Sequence, residues 1–107
     1  MRTVLLLALL GSTAAADPKV DETKVVVQKL AFEAYPQWSM SHPDKACPAK
    51  LTELLEYTDR KDIKDSWKHD FKMFCGATLP KGAKGFAVQS AGPDGKLDTK
   101  DDIKSWD

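Results

Sequence analysis

The sequence lacks two features that would place it in large classes of protein. Its longest apolar run, residues 4–10, has seven members, whereas a membrane-spanning helix needs about 20. The chain also has no excess of positive or negative charge, because 16 basic and 16 acidic residues are interspersed along it. Proteins that bind nucleic acid usually carry a segregated basic patch. We therefore expect no membrane span in the mature chain and no nucleic-acid partner.

Motifs of several enzyme classes are missing as well. The chain contains no phosphate-binding loop, no HExxH and no GxSxG. Its two histidines are His42 and His69. His69 precedes Cys75 by six residues, so a Cys/His nucleophile pair is one interpretation, but a disulfide at Cys75 would remove the thiol. We expect a binding protein and not an enzyme, with a small hydrolase as an alternative.

Residues 1–16 have the layout of a secretory signal peptide. Arg2 gives a positive start, residues 4–10 are apolar, and residues 13–16 are small. A membrane anchor is the alternative, but seven helical residues span about 10 Å of a hydrocarbon layer about 30 Å thick. We therefore expect cleavage before Asp17, leaving residues 17–107 as one exported domain.

The chain has two cysteines, Cys47 and Cys75. An even pair in a small exported chain usually forms a disulfide. Two free buried thiols are one alternative. Half of a metal site is another, although neither cysteine has a close Cys or His at ligand spacing. Closing a loop of about 29 residues would stabilise the domain by about 3–4 kcal/mol.

Two helices are predicted in the first half of the mature chain. An apolar stripe within residues 21–34 predicts a helix with Asp21 as its N-cap, ended or kinked at Tyr35-Pro36. Residues 37–46 are predicted to form a connecting loop. A short second helix has Pro48 in its first turn and is predicted to end near Tyr57 or Thr58. The stripes consist of Val26, Val27, Leu30, Ala31 and Ala34 in the first helix and Leu51, Leu54 and Leu55 in the second.

The last third of the chain has the pattern of short strands. Residues 71–75, 86–90 and 103–106 predict strands, and residues 76–85 form a turn-rich connection. Two helices followed by such strands predict an α+β fold. We expect an N-terminal helix and a short second helix, packed on a small antiparallel sheet of about three strands.

An acidic loop separates the last two predicted strands. Four aspartates fall within nine residues, and Gly92, Pro93 and Gly95 allow tight turns that bring carboxylates together. Calcium takes six to eight oxygen ligands, which such a loop can supply. The alternative is a solvated turn of balanced charge, because lysines alternate with the aspartates. These residues are Asp94, Asp98, Asp101 and Asp102, with Lys96, Lys100 and Lys104.

The loop does not follow the EF-hand pattern. With Asp94 as position 1, position 3 is Lys96 and position 6, where glycine is needed, is Thr99. Position 12 is Ser105 where a bidentate glutamate is expected. Any calcium site here must therefore have another loop geometry.

The C-terminal segment resembles the major pseudopilin of bacterial type II secretion systems. The resemblance covers about residues 24–107 and is most specific in residues 90–95, Ser-Ala-Gly-Pro-Asp-Gly, and residues 101–106, Asp-Asp-Ile-Lys-Ser-Trp. Tyr35-Pro36 lies where that family leaves its long helix. Asp65, Trp67 and Phe71 resemble a degenerate form of its Asp-Pro-Trp-Gly-Asn-Pro-Tyr turn. Unlike those proteins, this chain has a short cleavable segment in place of a prepilin-peptidase site and a long apolar helix.

The resemblance implies a structural calcium ion in the acidic loop. Side-chain oxygens would come from Asp94, Asp101 and Asp102, and backbone carbonyls from Ala91 and Lys96; Asp98 has no counterpart. It also implies a soluble, calcium-stabilised structural or interaction domain in the periplasm, or secreted, in a Gram-negative bacterium. Its partners would be type II secretion components. The alternative is a free-standing periplasmic or extracellular binding module with no role in secretion.

Overall fold

The computed structural model describes residues 17–107, and the predicted signal peptide, residues 1–16, lies outside them. These residues form an α+β domain with a small antiparallel sheet, so the predicted fold class is confirmed. None of the helices in this part of the chain is long and apolar enough to cross a membrane. The elements are helix α1 (Pro18–Lys29), a π-helical turn (Leu30–Ala34), helix α2 (Tyr35–Ser41), a 3₁₀ helix (Leu51–Tyr57), strand β1 (Lys72–Cys75), a 3₁₀ turn (Gly76–Thr78), strand β2 (Phe86–Ser90) and strand β3 (Ile103–Lys104).

The N-cap of the first helix lies four residues before the predicted one. Asp17 is the N-cap, because its side chain accepts a hydrogen bond from the backbone N–H of Lys19 at 2.9 Å. Pro18 occupies the first helical position, where a missing N–H costs nothing. Asp21 lies inside the first turn, where its charge favours the helix dipole. The prediction that Asp21 is the cap was therefore wrong.

Helical structure does not end at Tyr35-Pro36, so of the two predicted alternatives, an end or a kink, the end was wrong. Proline removes one N–H and its ring clashes with the carbonyl four residues earlier, which disfavours a regular helix. Here the five residues before α2 form a π-helical turn, in which the N–H of Tyr35 reaches back to the carbonyl of Leu30. A π-helical turn shifts the backbone carbonyls that precede the proline, and this relieves the clash with its ring. The chain therefore stays helical as far as Ser41, and the predicted loop at residues 37–46 begins only at His42.

The core lies between the long helix and one face of the sheet. The predicted stripe is largely confirmed: Val27, Leu30, Ala31 and Ala34 are buried, whereas Val26 is half-buried. The stripe continues into α2 with Trp38, which is fully buried. Burying one large apolar side chain contributes about 1.5–3 kcal/mol. The same cluster contains residues of the sheet, the 3₁₀ helix and the segment between them: Phe86, Val88 and Ile103, Leu51 and Leu54, and Ile63 and Phe71.

The sheet has the order β1-β2-β3, and both pairs are antiparallel. Phe74 pairs with Ala87, and Gln89 pairs with Lys104. The central strand has the predicted bounds, and β1 begins one residue later than predicted. The strand β3 covers only the first two of the four residues predicted for it. The helix and the central strand therefore fix the point at which the acidic loop leaves the sheet.

A disulfide joins Cys47 to Cys75, as the sequence predicts. It connects the segment before the 3₁₀ helix to the end of β1. Residues 17–107 contain no free cysteine. A Cys75 thiolate is therefore not available to His69 in the oxidised chain.

Candidate functional site

The acidic loop connects β2 to β3 and projects from the end of the sheet. Ala91 and Gly92 are buried where the loop leaves β2, whereas residues 93–101 are all exposed. Burial resumes at Ile103 in β3. Apolar packing thus holds both ends of the loop, and its exposed part must be ordered by polar contacts.

The two ends of the loop touch each other at Gly92. A Cβ atom built on Gly92 would lie 2.2 Å from the carbonyl oxygen of Asp101, and the φ angle of Gly92 is +76°. Any other residue there would clash with the backbone and adopt a left-handed conformation that favours glycine. The glycine therefore closes the loop.

A buried polar chain anchors the start of the loop. Ser90 donates its hydroxyl proton to Asp65 Oδ2 at 2.7 Å, and Ser90 Oγ accepts from the N–H of Gly92 at 3.0 Å. The other Asp65 oxygen accepts from the N–H groups of Trp67 and His69, both at 2.9 Å. Asp65 is 5% exposed, and a buried carboxylate needs such partners. It joins the 65–69 turn to the loop, a role that sequence reasoning missed.

Three of the five predicted ligands come together around the hydroxyl of Thr99. Thr99 Oγ1 lies 2.8 Å from Asp94 Oδ2, 3.2 Å from the carbonyl oxygen of Lys96 and 3.4 Å from Asp102 Oδ1. The Thr99 hydroxyl thus lies within hydrogen-bond distance of two carboxylates and one carbonyl oxygen. All are hard oxygen donors of the type that calcium prefers. The chemistry of this donor set fits a calcium ion.

Asp94 is held in its ionised form. The backbone N–H of Lys96 donates to Oδ1 at 2.9 Å. This hydrogen bond and the one from the Thr99 hydroxyl lower the pKa of Asp94 below its ordinary value. A carboxylate that keeps its charge in this loop is a suitable ligand for a divalent cation.

Asp102 is positioned by two donors on one oxygen. Asp102 Oδ2 accepts from the side-chain amide of Gln89 and from the N–H of Asp98 at 2.6 Å. Asp98 has a φ angle of +65°, a left-handed conformation that aspartate adopts more readily than most residues. Asp98, which the resemblance left without a role, thus fixes Asp102 through its backbone.

The remaining predicted ligands, Ala91 and Asp101, lie at the edges of this group. Ala91 is buried at the start of the loop. Asp101 is exposed, and its backbone packs on Gly92. Within residues 17–107, no three or more His, Cys, Asp or Glu side chains are arranged to hold a metal ion. The structure therefore brings together two carboxylates, not the predicted three, and carbonyl and hydroxyl oxygens make up the rest of the donor set.

His69 packs against the turn that carries Asp94. A Cβ atom on Gly95 would lie 2.9 Å from Cε1 and 3.2 Å from Nε2 of the imidazole. The lack of a side chain at Gly95 lets the ring approach the backbone. His69 thus lies next to the acidic loop.

No family model matches the chain, and no curated protein or solved structure was found to match it. The resemblance to the pseudopilins depends on the motif residues named above and stays a prediction.

Proposed function

We propose that this protein is a soluble, exported, calcium-stabilised domain of pseudopilin type that acts by binding other proteins. The observation that supports a calcium site is the convergence of Asp94, Lys96 and Asp102 oxygens within 3.4 Å of Thr99 Oγ1. In the proposed function the ion has a structural role.

In the proposed function the ion joins the two halves of the loop between β2 and β3. Asp94 and the Lys96 carbonyl lie on the first half of the loop, and Asp102 directly precedes β3. A bound calcium ion supplies the positive charge that draws these oxygens together. The strand β3 has only two residues, so its position on the sheet depends on what precedes it. Holding Asp102 therefore holds β3, and with it Ile103 in the core.

The proposed setting is the envelope of a Gram-negative bacterium, in the periplasm or outside the cell. Support comes from the signal-peptide pattern of residues 1–16 and from the pseudopilin-like motifs at residues 90–95 and 101–106. The proposed partners are type II secretion components. Co-purification of the disulfide-bonded domain with those components tests this assignment. A domain that binds calcium but none of them would be the free-standing binding module instead.

Thermal unfolding with and without calcium tests the metal site. Wild-type protein at a calcium concentration about 100 times its dissociation constant should gain about 2.7 kcal/mol over protein in chelator. Asp94→Ala should abolish this gain, because it removes a carboxylate from the group around Thr99. Asp44→Ala is the matched control, since Asp44 is an exposed aspartate in the loop after α2, and it should keep the gain.

Two results would contradict the calcium proposal. One is an identical melting curve for wild-type protein in calcium and in chelator. The other is a calcium response that Asp94→Ala leaves intact, which would place the ion elsewhere on the domain.

A further inference from the structure

A groove lies between the 3₁₀ helix and residues 61–71, and the described residues that line it include none of the acidic loop. Its volume of about 530 Å³ is within the range of about 300–1,000 Å³ that is typical of small-molecule sites. Four apolar residues lie along it, three buried core members and one half-buried neighbour: Leu51, Ile63 and Phe71, and Leu55. The hydrophobic core therefore reaches the surface in this groove.

Contacts within the chain hold the wall of the groove that faces the 3₁₀ helix. Arg60 donates from Nε to the carbonyl oxygen of Asp62 at 3.3 Å and from Nη2 to the carbonyl oxygen of Lys64 at 2.8 Å. Lys64 in turn is joined to Asp70 by an antiparallel β-bridge and by an ion pair of their side chains. The groove is therefore formed before any ligand arrives, as small-molecule sites usually are.

The rim of the groove carries positive charge that the chain does not neutralise. Both carboxylates on the rim already form ion pairs, Asp62 with Arg60 at 3.7 Å and Asp70 with Lys64. Lys50 and Lys61 also line the groove, and both are exposed. Among residues 17–107, neither of these two lysines has an ion-pair partner. Two ammonium groups without a counter-charge thus lie beside an apolar floor.

We propose that this groove binds a small amphipathic carboxylate, with a medium-chain fatty acid as its simplest form. The aliphatic chain lies along Leu51, Leu55 and Ile63, and the carboxylate pairs with Lys50 and Lys61 at the rim. Most of the affinity comes from the chain, because each methylene that is fully buried strengthens binding about fourfold. The exposed lysines add less and select the charge of the head group.

Charge separates this ligand from other apolar molecules that fit the same floor. An uncharged aliphatic molecule makes the same contacts with the leucines but leaves Lys50 and Lys61 without a counter-ion. A cationic one meets two charges of its own sign. A carboxylate with the same chain is therefore expected to bind most tightly of the three.

The experiment titrates octanoate, octanol and octylammonium into the mature, disulfide-bonded, isotope-labelled protein and follows its amide chemical shifts. Chelator is present throughout, so calcium has no part in the result. Octanoate should give saturable shifts concentrated at Leu51, Leu55 and Ile63. Hexanoate, which is two methylenes shorter, should bind about tenfold more weakly. Octanol should bind about fivefold more weakly than octanoate, and octylammonium more weakly still.

Lysine variants test the head-group contact. Lys50→Gln and Lys61→Gln should each weaken octanoate binding about two- to fivefold, the range that exposed ion pairs give. Lys24→Gln is the matched control, because Lys24 is an exposed lysine on α1 outside the groove. It removes the same charge and should keep the affinity of wild type. Melting curves establish that each variant is folded.

Several outcomes would overturn this inference. Octanoate that gives no saturable shifts, or shifts on another surface, would remove the site. Octanol that binds as tightly as octanoate would leave an apolar groove without selection for an anion. Equal losses in all three lysine variants would show that only the net charge of the protein matters. Each of these results leaves the calcium proposal untouched, since that is tested by melting curves with and without the ion.

Discussion

The helix–sheet core and the acidic loop meet on the same short strand but are ordered by different forces. Core residues such as Val27, Trp38 and Val88 are fully buried, so apolar burial stabilises them without any ion. Residues 93–101 are exposed, and the loop is ordered by hydrogen bonds and by close backbone contact at Gly92. The comparison teaches that apolar burial orders the core, whereas polar contacts and backbone packing order the loop.

The buried Asp65–Ser90 pair connects these two regions. Ser90 is the last residue of β2, and its hydroxyl links Asp65 to the amide of Gly92 at the buried start of the loop. These hydrogen bonds tie the loop to the core only as far as Gly92. Beyond that point the oxygens around Thr99 provide the order.

The largest expected effect is on the core. Trp38→Ala should lower the free energy of unfolding by about 3–5 kcal/mol, because the ring is fully buried and leaves a cavity. Met40→Ala, two residues further along the same helix, should change it by less than about 0.5 kcal/mol, because Met40 is 83% exposed. Urea unfolding in chelator measures both. Similar losses in the two variants would show that the core is not where the structure places it.

The next effect separates loop closure from backbone conformation. Gly85 and Gly92 have similar φ angles, +73° and +76°, but a Cβ on Gly85 meets nothing within 4 Å. Gly85→Ala should therefore cost about 1–2 kcal/mol from backbone strain alone. Gly92→Ala should cost about 1–3 kcal/mol more and should weaken calcium stabilisation, since the added methyl pushes Asp101 away. Thermal unfolding with and without calcium measures both quantities. Equal behaviour of the two variants would contradict a closed loop.

The smallest effect concerns a polar contact at the start of the 3₁₀ helix. The N–H of Lys50, together with that of Ala49, donates to the carboxylate of Glu53 and lowers its pKa below the ordinary 4.5. Ionised Glu53 therefore adds stability that is complete above pH 4.5 and is lost as the pH falls through its lowered pKa.

The test compares Glu53→Gln with wild type between pH 7 and pH 3. Because glutamine does not titrate, the stability difference between the two proteins should shrink on acidification. Glu56→Gln, an exposed change on the same 3₁₀ helix, should leave the acid profile of wild type unaltered. A difference independent of pH would contradict the lowered pKa.

Much of the fold could be predicted because it depends on local patterns. Apolar periodicity predicted the first helix and the place of the second, which is a 3₁₀ helix that begins at Leu51 and leaves out Pro48. Alternation predicted the three strands to within two residues. The error at Pro36 has a physical cause: the π-helical turn that admits the proline depends on how residues 30–34 pack on the sheet. Asp17 was missed as N-cap because the sequence offers two aspartates near Pro18, and propensity alone does not choose between them.

The candidate site could be predicted only in outline. Its composition indicated an oxygen-rich loop, but which oxygens converge depends on backbone angles that composition does not determine. Asp98 and Thr99 show this: the first acts through its amide and the second through a hydroxyl that no ligand pattern assigned. Asp65 is 25 residues from Ser90 in sequence, and nothing local links the two. The clustered aspartates were the signal that pointed toward this loop, whereas Thr99 was noted only as a mismatch to the EF-hand pattern.

The edges of the sheet affect how readily strands of separate molecules can pair. At one edge β3 is only two residues long, so it presents few free backbone groups to a neighbouring chain. At the other edge β1 carries Lys72 and ends at the cross-linked Cys75. Brevity and lysine are both features that discourage strands of separate molecules from pairing. Both edges of the sheet thus disfavour edge-to-edge aggregation of the domain.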